Sequence, residues 1–194
     1  EGGIDQGGLT REWMSLIIER FFVPRFQDES ELELALDTVF YNSPFENVDE
    51  NNTLFKISSK FTGPPQVYAL IGSVMAKAIL EKIPLRAKMA PSLLKLILGD
   101  SLTFDDLEDD DPTIHRSLLY LLDPSYDFVG ARHFLPSDET VLVTSETVHQ
   151  FLDETAHKNM YGKYSKAIDQ LIRGFRSILN AKTLKMYFTW QDLQ

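Results

Sequence analysis

The sequence predicts an α+β fold that is mainly α-helical, and three observations carry that expectation. Apolar residues recur at intervals of three and four over Tyr164, Ala167, Ile168, Leu171, Ile172, Phe175, Ile178 and Leu179, which places them on one helical face. Helix starts and stops are clearly punctuated elsewhere: Asp111 precedes Pro112 at a helix start, and Gly99 closes "MAPSLLKLILG". Only short stretches, such as "LFKISSKF", alternate as strands do.

Along the chain, "EGGIDQGGLTREWM" sets glycines directly against a helix start. The expectation is that Gly7 and Gly8 lie in the first turn, where side chains would meet a neighbour. From Trp13 to Phe22 the apolar positions cover more than one stripe, predicting a helix buried on most sides. Asp5 or Thr10 is its expected N-cap and Pro24 marks its end. A short helix is expected over Ser30 to Leu36 and a strand in "DTVFYN", followed by the turn-rich "SPFENVDENNT" and the strand "LFKISSKF", stopped by "TGPP". A helix follows from about Gln66 to Lys82, with Gly72, Ser73, Ala76 and Ala78 allowing another element to approach closely. "MAPSLLKLILG" and "DPTIHRSLLYLLD" are helices, whereas "YDFVGARHFL" and "TVLV" read as two short strands. Thr144 or Ser145 is the expected cap of a helix with Val148, Phe151, Leu152 and Thr155 on one face. After the long amphipathic helix, "TLKMYFTWQDLQ" predicts one more short helix.

The chain has 194 residues, enough for one domain with a subdomain. Its 29 acidic residues against 19 lysines and arginines give a net charge of -10, which repels phosphate backbones. No nucleic-acid partner is therefore expected, and a basic protein face fits better. There is no cysteine, so disulfides, thiolate metal sites and a cysteine nucleophile are excluded within the chain. The apolar run Val67 to Leu80 is too short for a bilayer and carries Gly72, Ser73 and Lys77, so no membrane span is expected. The acidic, glycine-rich beginning does not read as a signal peptide, and an intracellular setting, cytoplasmic or nuclear, is expected.

Self-contained chemistry is hard to find. A phosphate-binding loop needs Gly-Lys-Ser/Thr, but Gly8 is followed by Leu9. The run "FDDLEDDDP" lacks the order of a calcium loop and reads as a solvated loop ending in the cap Asp111. His115, His133, His149 and His157 form no metal-binding pair, and His149 and His157 lie two turns apart on one helix. No serine sits in a nucleophile elbow. No catalytic residue, metal or cofactor is expected; the chain reads as a helical scaffold with an exposed binding surface.

Six motifs nevertheless fall in a recognisable order. "EGGIDQGGLTREW", "IGSVMAKAIL", "LLKLILGDSLTFDDLEDDDPTIHRSLLYLLD", "VLVTSETVHQFL", "IDQLIRGFRSIL" and "LKMYFTWQDLQ" together resemble the N-terminal lobe of HECT-type ubiquitin ligase catalytic domains. The glycine-rich opening then reads as the entry to the first core helix, not as a ligand loop. The resemblance implies a HECT N-lobe over residues 1–194, with a large helical subdomain (1–85 and 144–194) and a small inserted helix and hairpin subdomain (86–143). In that family the small subdomain recruits a ubiquitin-conjugating enzyme, and ubiquitin passes to a cysteine on a separate C-lobe, absent here, and then to a substrate lysine. The implied partners are thus a ubiquitin-conjugating enzyme, ubiquitin and protein substrates bound through other regions. Carried over residue by residue, the conjugating-enzyme site is Leu118, Leu121 and Leu122 on a helix and Phe128 on the first strand of the hairpin. One face of that helix must pack inward, so its leucines cannot all line a groove. The chain departs from the family at Gly130, where a large apolar residue is usual, and at Thr155, where an aromatic is common; the segment between Asp123 and Val141 is also short. These departures keep open an alternative, a non-catalytic interaction module with the same fold.

A thioester needs a thiolate acceptor. With no cysteine present, the chain incubated with activating enzyme, conjugating enzyme and ubiquitin is expected to form no reductant-sensitive adduct on a non-reducing gel.

Overall fold

Two helices cross at the centre of the molecule with backbone against backbone. In a computed structural model, which describes residues 8–22, 43–48, 54–85 and 87–193, the Gln66–Leu80 helix packs along the Ser165–Arg176 helix. A Cβ on Gly72 would strike the carbonyl oxygen of Leu171 and come within 2.8 Å of the Phe175 nitrogen; a Cβ on Gly174 would strike the carbonyl oxygen of Ala69. The two glycines thus permit the approach from both sides. Ser73 Oγ donates across the contact to the Gly174 carbonyl at 3.1 Å and lies 3.0 Å from its own helix's Ala69 carbonyl. The small residues expected to admit a neighbour do so, and Ala76 and Ala78 are fully buried.

The first core forms around this crossing. The Gly8–Phe22 helix contributes Met14, Ile18, Phe21 and Phe22, the Pro91–Leu98 helix contributes Leu93, Leu94, Ile97 and Leu98, and Ile168, Leu171 and Phe175 come from the long amphipathic helix. A three-stranded sheet, β1 (Phe45–Asn47), β2 (Leu54–Ile57) and β3 (Lys88–Met89), closes one side. β1 and β2 are antiparallel with Phe45 opposite Ile57, and β2 and β3 are parallel with Leu54 opposite Lys88. Phe22 stacks on Phe45 at 4.9 Å and meets Phe55 edge-on at 5.1 Å, joining the first helix to the sheet.

A second core draws on residues between Phe104 and Met160. Phe104, Leu107, Leu121, Leu135, Val143, Val148, Leu152, Ala156 and Met160 fill it. They come from a 3-10 turn at Phe104–Asp106, the short helix Leu107–Asp110, the helix Pro112–Leu119 with its 3-10 continuation Tyr120–Leu122, a hairpin, and the helix Val148–Met160. The hairpin pairs β4 (Phe134–Leu135) with β5 (Asp138–Leu142), antiparallel and with a register irregularity at Phe134 and Leu135.

Several expectations change on contact with the structure. The Gly8–Phe22 helix is not buried on most sides: among its described side chains Trp13 and Leu16 are exposed, Ile17 is half-buried, and Met14, Ile18, Phe21 and Phe22 are buried. A Cβ on Gly8 would meet no atom of the described residues within 4 Å, so no clash among them requires a glycine there. Thr10 lies inside the helix and is not its cap. Gly7, Asp5, Pro24, the Ser30–Leu36 segment and "DTVFYN" lie outside the described residues. "SPFENVDENNT" is not all turn, because Phe45–Asn47 pairs with β2, driven by burial of Phe45. "YDFVGARHFL" is not one strand. The Asp127 carboxylate accepts from the Val129 and Gly130 amides, caps a helical turn over Phe128–Ala131, and Arg132 ends it at φ 48. Phe128 is therefore a helical residue. The helix after "TVLV" starts at Val148, and its N-cap Thr147 makes no capping bond; its Oγ1 instead accepts from the Thr144 amide at 2.9 Å.

Other expectations match. Asp111 Oδ1 accepts from the Ile114 amide at 3.0 Å as the N-cap before Pro112, and Gly99 ends its helix at φ 79. Strand β2 lies inside "LFKISSKF", whereas the short helix Ala181–Lys185 begins two residues before "TLKMYFTWQDLQ" and overlaps it only over Thr183–Lys185.

Phe175 is 1% exposed at the crossing. Phe175→Ala is expected to destabilise by roughly 3–5 kcal/mol. Gly174→Ala, which helix propensity alone would favour by about 1 kcal/mol, is expected to destabilise by about 1–3 kcal/mol through the backbone clash. Thermal and denaturant melting of the two variants checks both signs.

Candidate functional site

The second core is thin, and much of its apolar sequence remains outside it. Leu119, Tyr120, Leu122, Val129, Phe134, Val141 and Leu142 are all exposed, and Val129 is 87% accessible. They fall within one stretch of the chain for local reasons. The Pro112–Leu119 helix buries His115 and Leu121 beyond its end, which turns Leu119 and Tyr120 outward. The Asp127-capped turn carries Val129 on its outer side, and every residue of β5 is exposed. Ser137 at the hairpin turn is bonded to the Glu154 carboxylate at 2.8–2.9 Å, which ties the hairpin to the Val148–Met160 helix. The Gln150 amide, together with those Ser137 contacts, holds Glu154 below the usual carboxylate range.

The four residues carried over from the sequence divide by depth. Leu121 is 6% exposed and belongs to the second core. Leu118 and Phe128 are half-buried and pack against that core. Leu122 is 39% exposed. Leu118 and Leu122 do not share one exposed face, because the α-helix tightens to a 3-10 turn between them and the angular step per residue grows. Phe128 is held by Tyr126, whose ring lies edge-on at 4.8 Å, and the Tyr126 hydroxyl meets His133 Nε2 at 2.7 Å. His133 in turn faces Phe151 at 5.8 Å. The four positions thus differ in depth: Leu121 is buried, Leu118 and Phe128 are half-buried against the second core, and Leu122 is exposed.

Sequence reasoning missed Tyr120, Val129, Phe134, Val141 and Leu142. For Val129 and Phe134 the obscuring signal was the strand-like pattern of "YDFVGARHFL"; the Asp127 cap before a glycine was the available clue. Gly130 also gains a reason. A Cβ there would strike the Asp127 carboxylate, so the cap and a larger side chain at this position compete.

The acidic run is not a solvated loop. Asp106 and Asp110 are buried and join the second core to the first. Asp106 pairs with Lys95 at 2.5 Å and accepts from the Thr103 amide and hydroxyl. Asp110 Oδ1 accepts from Ser92 Oγ at 2.6 Å, and its carbonyl accepts from Lys56 Nζ at 3.1 Å. Burial pushes the Asp110 carboxyl up, against the opposing pull of Ser92 and Lys56. Among the described residues no cluster of histidine and acidic side chains is arranged to hold a metal ion. His115 is a packing residue, 4.5 Å from Phe104, and His149 and His157 are exposed. No helix among the described residues is long and apolar enough to cross a membrane.

The model of the HECT-domain (ubiquitin-transferase) family covers residues 26–194, and the chain belongs to that family. It is similar to the mouse E3 ubiquitin-protein ligase HUWE1 (26% identity, all of this chain and 4% of that protein) and to the human ubiquitin-protein ligase E3B (26% identity, 97% of this chain and 18% of that protein). It is also similar to the E3 ubiquitin-protein ligase TOM1 of Saccharomyces cerevisiae, at 21% identity over all of this chain and 6% of that protein. The chain therefore spans a small part of the relatives it matches.

The raised Asp110 carboxyl has a sign. The folded chain holds that proton more tightly than the unfolded chain, so its contribution to stability falls as pH rises through the window above the ordinary aspartate range. Asp110→Asn keeps an acceptor for Ser92 and is expected to be at least as stable as the parent at pH 7. That advantage should fade toward acid pH, as read by melting across the pH range.

Proposed function

We propose that this chain is the part of a HECT-type ubiquitin ligase that recruits a ubiquitin-conjugating enzyme. In this reading residues 1–85 and 144–194 form the supporting subdomain, and residues 86–143 present the docking surface. Leu118, Leu122 and Phe128 face the conjugating enzyme and Leu121 supports them from below, with Val129 and Phe134 extending the apolar area. Ubiquitin then passes to a cysteine supplied from outside this cysteine-free sequence, and from there to a lysine of a substrate held by other regions.

The observation that supports this most is the concentration of exposed apolar side chains over the second core. On a chain of net charge -10 such a patch is an interface signal. The surrounding acidity favours a basic partner face, chiefly through association rate. Repeated exchange of spent for charged conjugating enzyme calls for weak binding, on the order of -8 kcal/mol or smaller in magnitude.

Gly130 and Thr155 favour a second reading, a non-catalytic module that keeps the fold and has lost conjugating-enzyme binding. Gly130 is committed to its Asp127 cap, and Thr155 is half-buried with an Oγ1 that has no hydrogen-bond partner.

Titration of a panel of conjugating enzymes separates the two readings. Micromolar binding is expected, and Leu122→Ala, an exposed change that should leave melting intact, is expected to weaken it by roughly 1–2 kcal/mol. Unchanged affinity in Leu122→Ala and Phe128→Ala would place the docking surface elsewhere, and no binding across the panel would leave the non-catalytic module.

A further inference from the structure

A second surface lies on the first core, apart from the Leu118–Leu142 region. Leu98, Gly99, Arg176, Asn180, Lys182 and Lys185 line an open cavity of about 620 Å³. Three cations around one cavity are unexpected in a chain of net charge -10. Lys185 is spoken for: Nζ pairs with Asp100 and reaches the Gly99 carbonyl at 3.5 Å. Arg176 is placed against the end of the Pro91–Leu98 helix, where a Cβ on Gly99 would lie 3.4 Å from its Nη2; the helix C-terminus favours a cation there. Neither Arg176 nor Lys182 has an ion-pair partner among the described residues. The apolar part of the lining is Leu98 and Ala181, both buried. One turn beyond Lys182, Met186 is 72% exposed and Tyr187 beside it 73%.

We propose that this cavity binds an acidic peptide segment of a partner protein, with a carboxylate on Arg176 and Lys182 and a neighbouring apolar side chain on Met186 and Tyr187. The planar guanidinium matches a carboxylate through paired N–H donors. The adjoining exposed methionine and tyrosine suit a peptide side chain better than a bare inorganic anion. The acidity of the rest of the chain repels an extended polyanion that would have to run past the cavity.

The test is fluorescence anisotropy of the whole chain with a labelled, glutamate-rich peptide carrying one leucine, beside its glutamine counterpart. The glutamate peptide is expected to bind, the glutamine peptide to bind much more weakly, and the affinity to fall with added salt. Arg176→Glu with Lys182→Glu is expected to lower affinity about tenfold or more, and Met186→Ser to lower it less. Should the double reversal melt early, Lys182→Gln, an exposed side chain without an ion-pair partner among the described residues, is expected to lower affinity by a few fold. Leu122→Ala is expected to leave this binding unchanged, which separates it from conjugating-enzyme recruitment. Equal binding of the two peptides, full affinity in the charge variants, or tighter binding of heparin than of the peptide would each overturn the proposal.

Discussion

The close approach of backbone to backbone at Gly72 and Gly174 is the constraint on which the rest of the structure depends. Helices carrying ordinary side chains at a crossing stay about 8–10 Å apart. Removing the Cβ atoms at both positions lets the Ala69 and Leu171 carbonyls come against the facing backbone. That approach buries Ile71, Ala76 and Ala78 on one helix and Ile168, Leu171 and Phe175 on the other almost completely. Ser73 adds a hydrogen bond that fixes the register, since its Oγ reaches the Gly174 carbonyl only when the helices are aligned this way. The sheet and the Gly8–Phe22 and Pro91–Leu98 helices then pack against a frame whose geometry is already set.

The second core is attached to this frame by polar contacts as well as by packing. Asp106 and Asp110 are buried because their partners, Lys95, Ser92 and Lys56, sit on elements of the first core. Removing one partner of a buried charge is costly, because the other is left uncompensated. The seam therefore ties the position of the apolar surface over the second core to the position of the Pro91–Leu98 helix. Tyr164, at the same junction, has its hydroxyl pushed up by burial and by the nearby Glu46, Asp110 and Asp111 charges. An apolar surface mounted this way keeps its shape through the buried contacts beneath it.

A fold of this kind leaves function to its surfaces. Among the described residues Asp106, Asp110 and Ser92 are buried in structural contacts, while Leu119, Tyr120, Leu122, Val129, Phe134, Val141 and Leu142 remain exposed. The cationic cavity under Arg176 and Lys182 is the counterpart on the first core. The two surfaces differ in chemistry, one apolar within an acidic setting and one basic beside exposed methionine and tyrosine.

Much of the scaffold was legible from local rules. The Gln66–Leu80 and Ser165–Arg176 helices, the Asp111 cap, the Gly99 stop and the small residues of the crossing rest on periodicity and backbone sterics, which are properties of short stretches. Legibility failed where long-range contacts overrode local pattern. The Gly8–Phe22 helix carries apolar residues on several sides, and only packing decides that Met14 faces inward while Trp13 and Leu16 face out. The acidic run reads as solvated until Lys95 and Ser92 are brought against it.

The candidate site divides along the same line. The sequence by itself determined the helical character and the absence of any thiol in the chain, while the set Leu118, Leu121, Leu122 and Phe128 came from its resemblance to a family. Tertiary structure alone decided their depth, because a helix of leucines has no inner face until something packs on it. The switch from α-helix to 3-10 turn after Leu119, and the Asp127 cap in place of a strand, sent Leu121 into the core and left Leu122 and Val129 at the surface. Depth is a property of what surrounds a residue, and those surroundings come from segments far away in the chain.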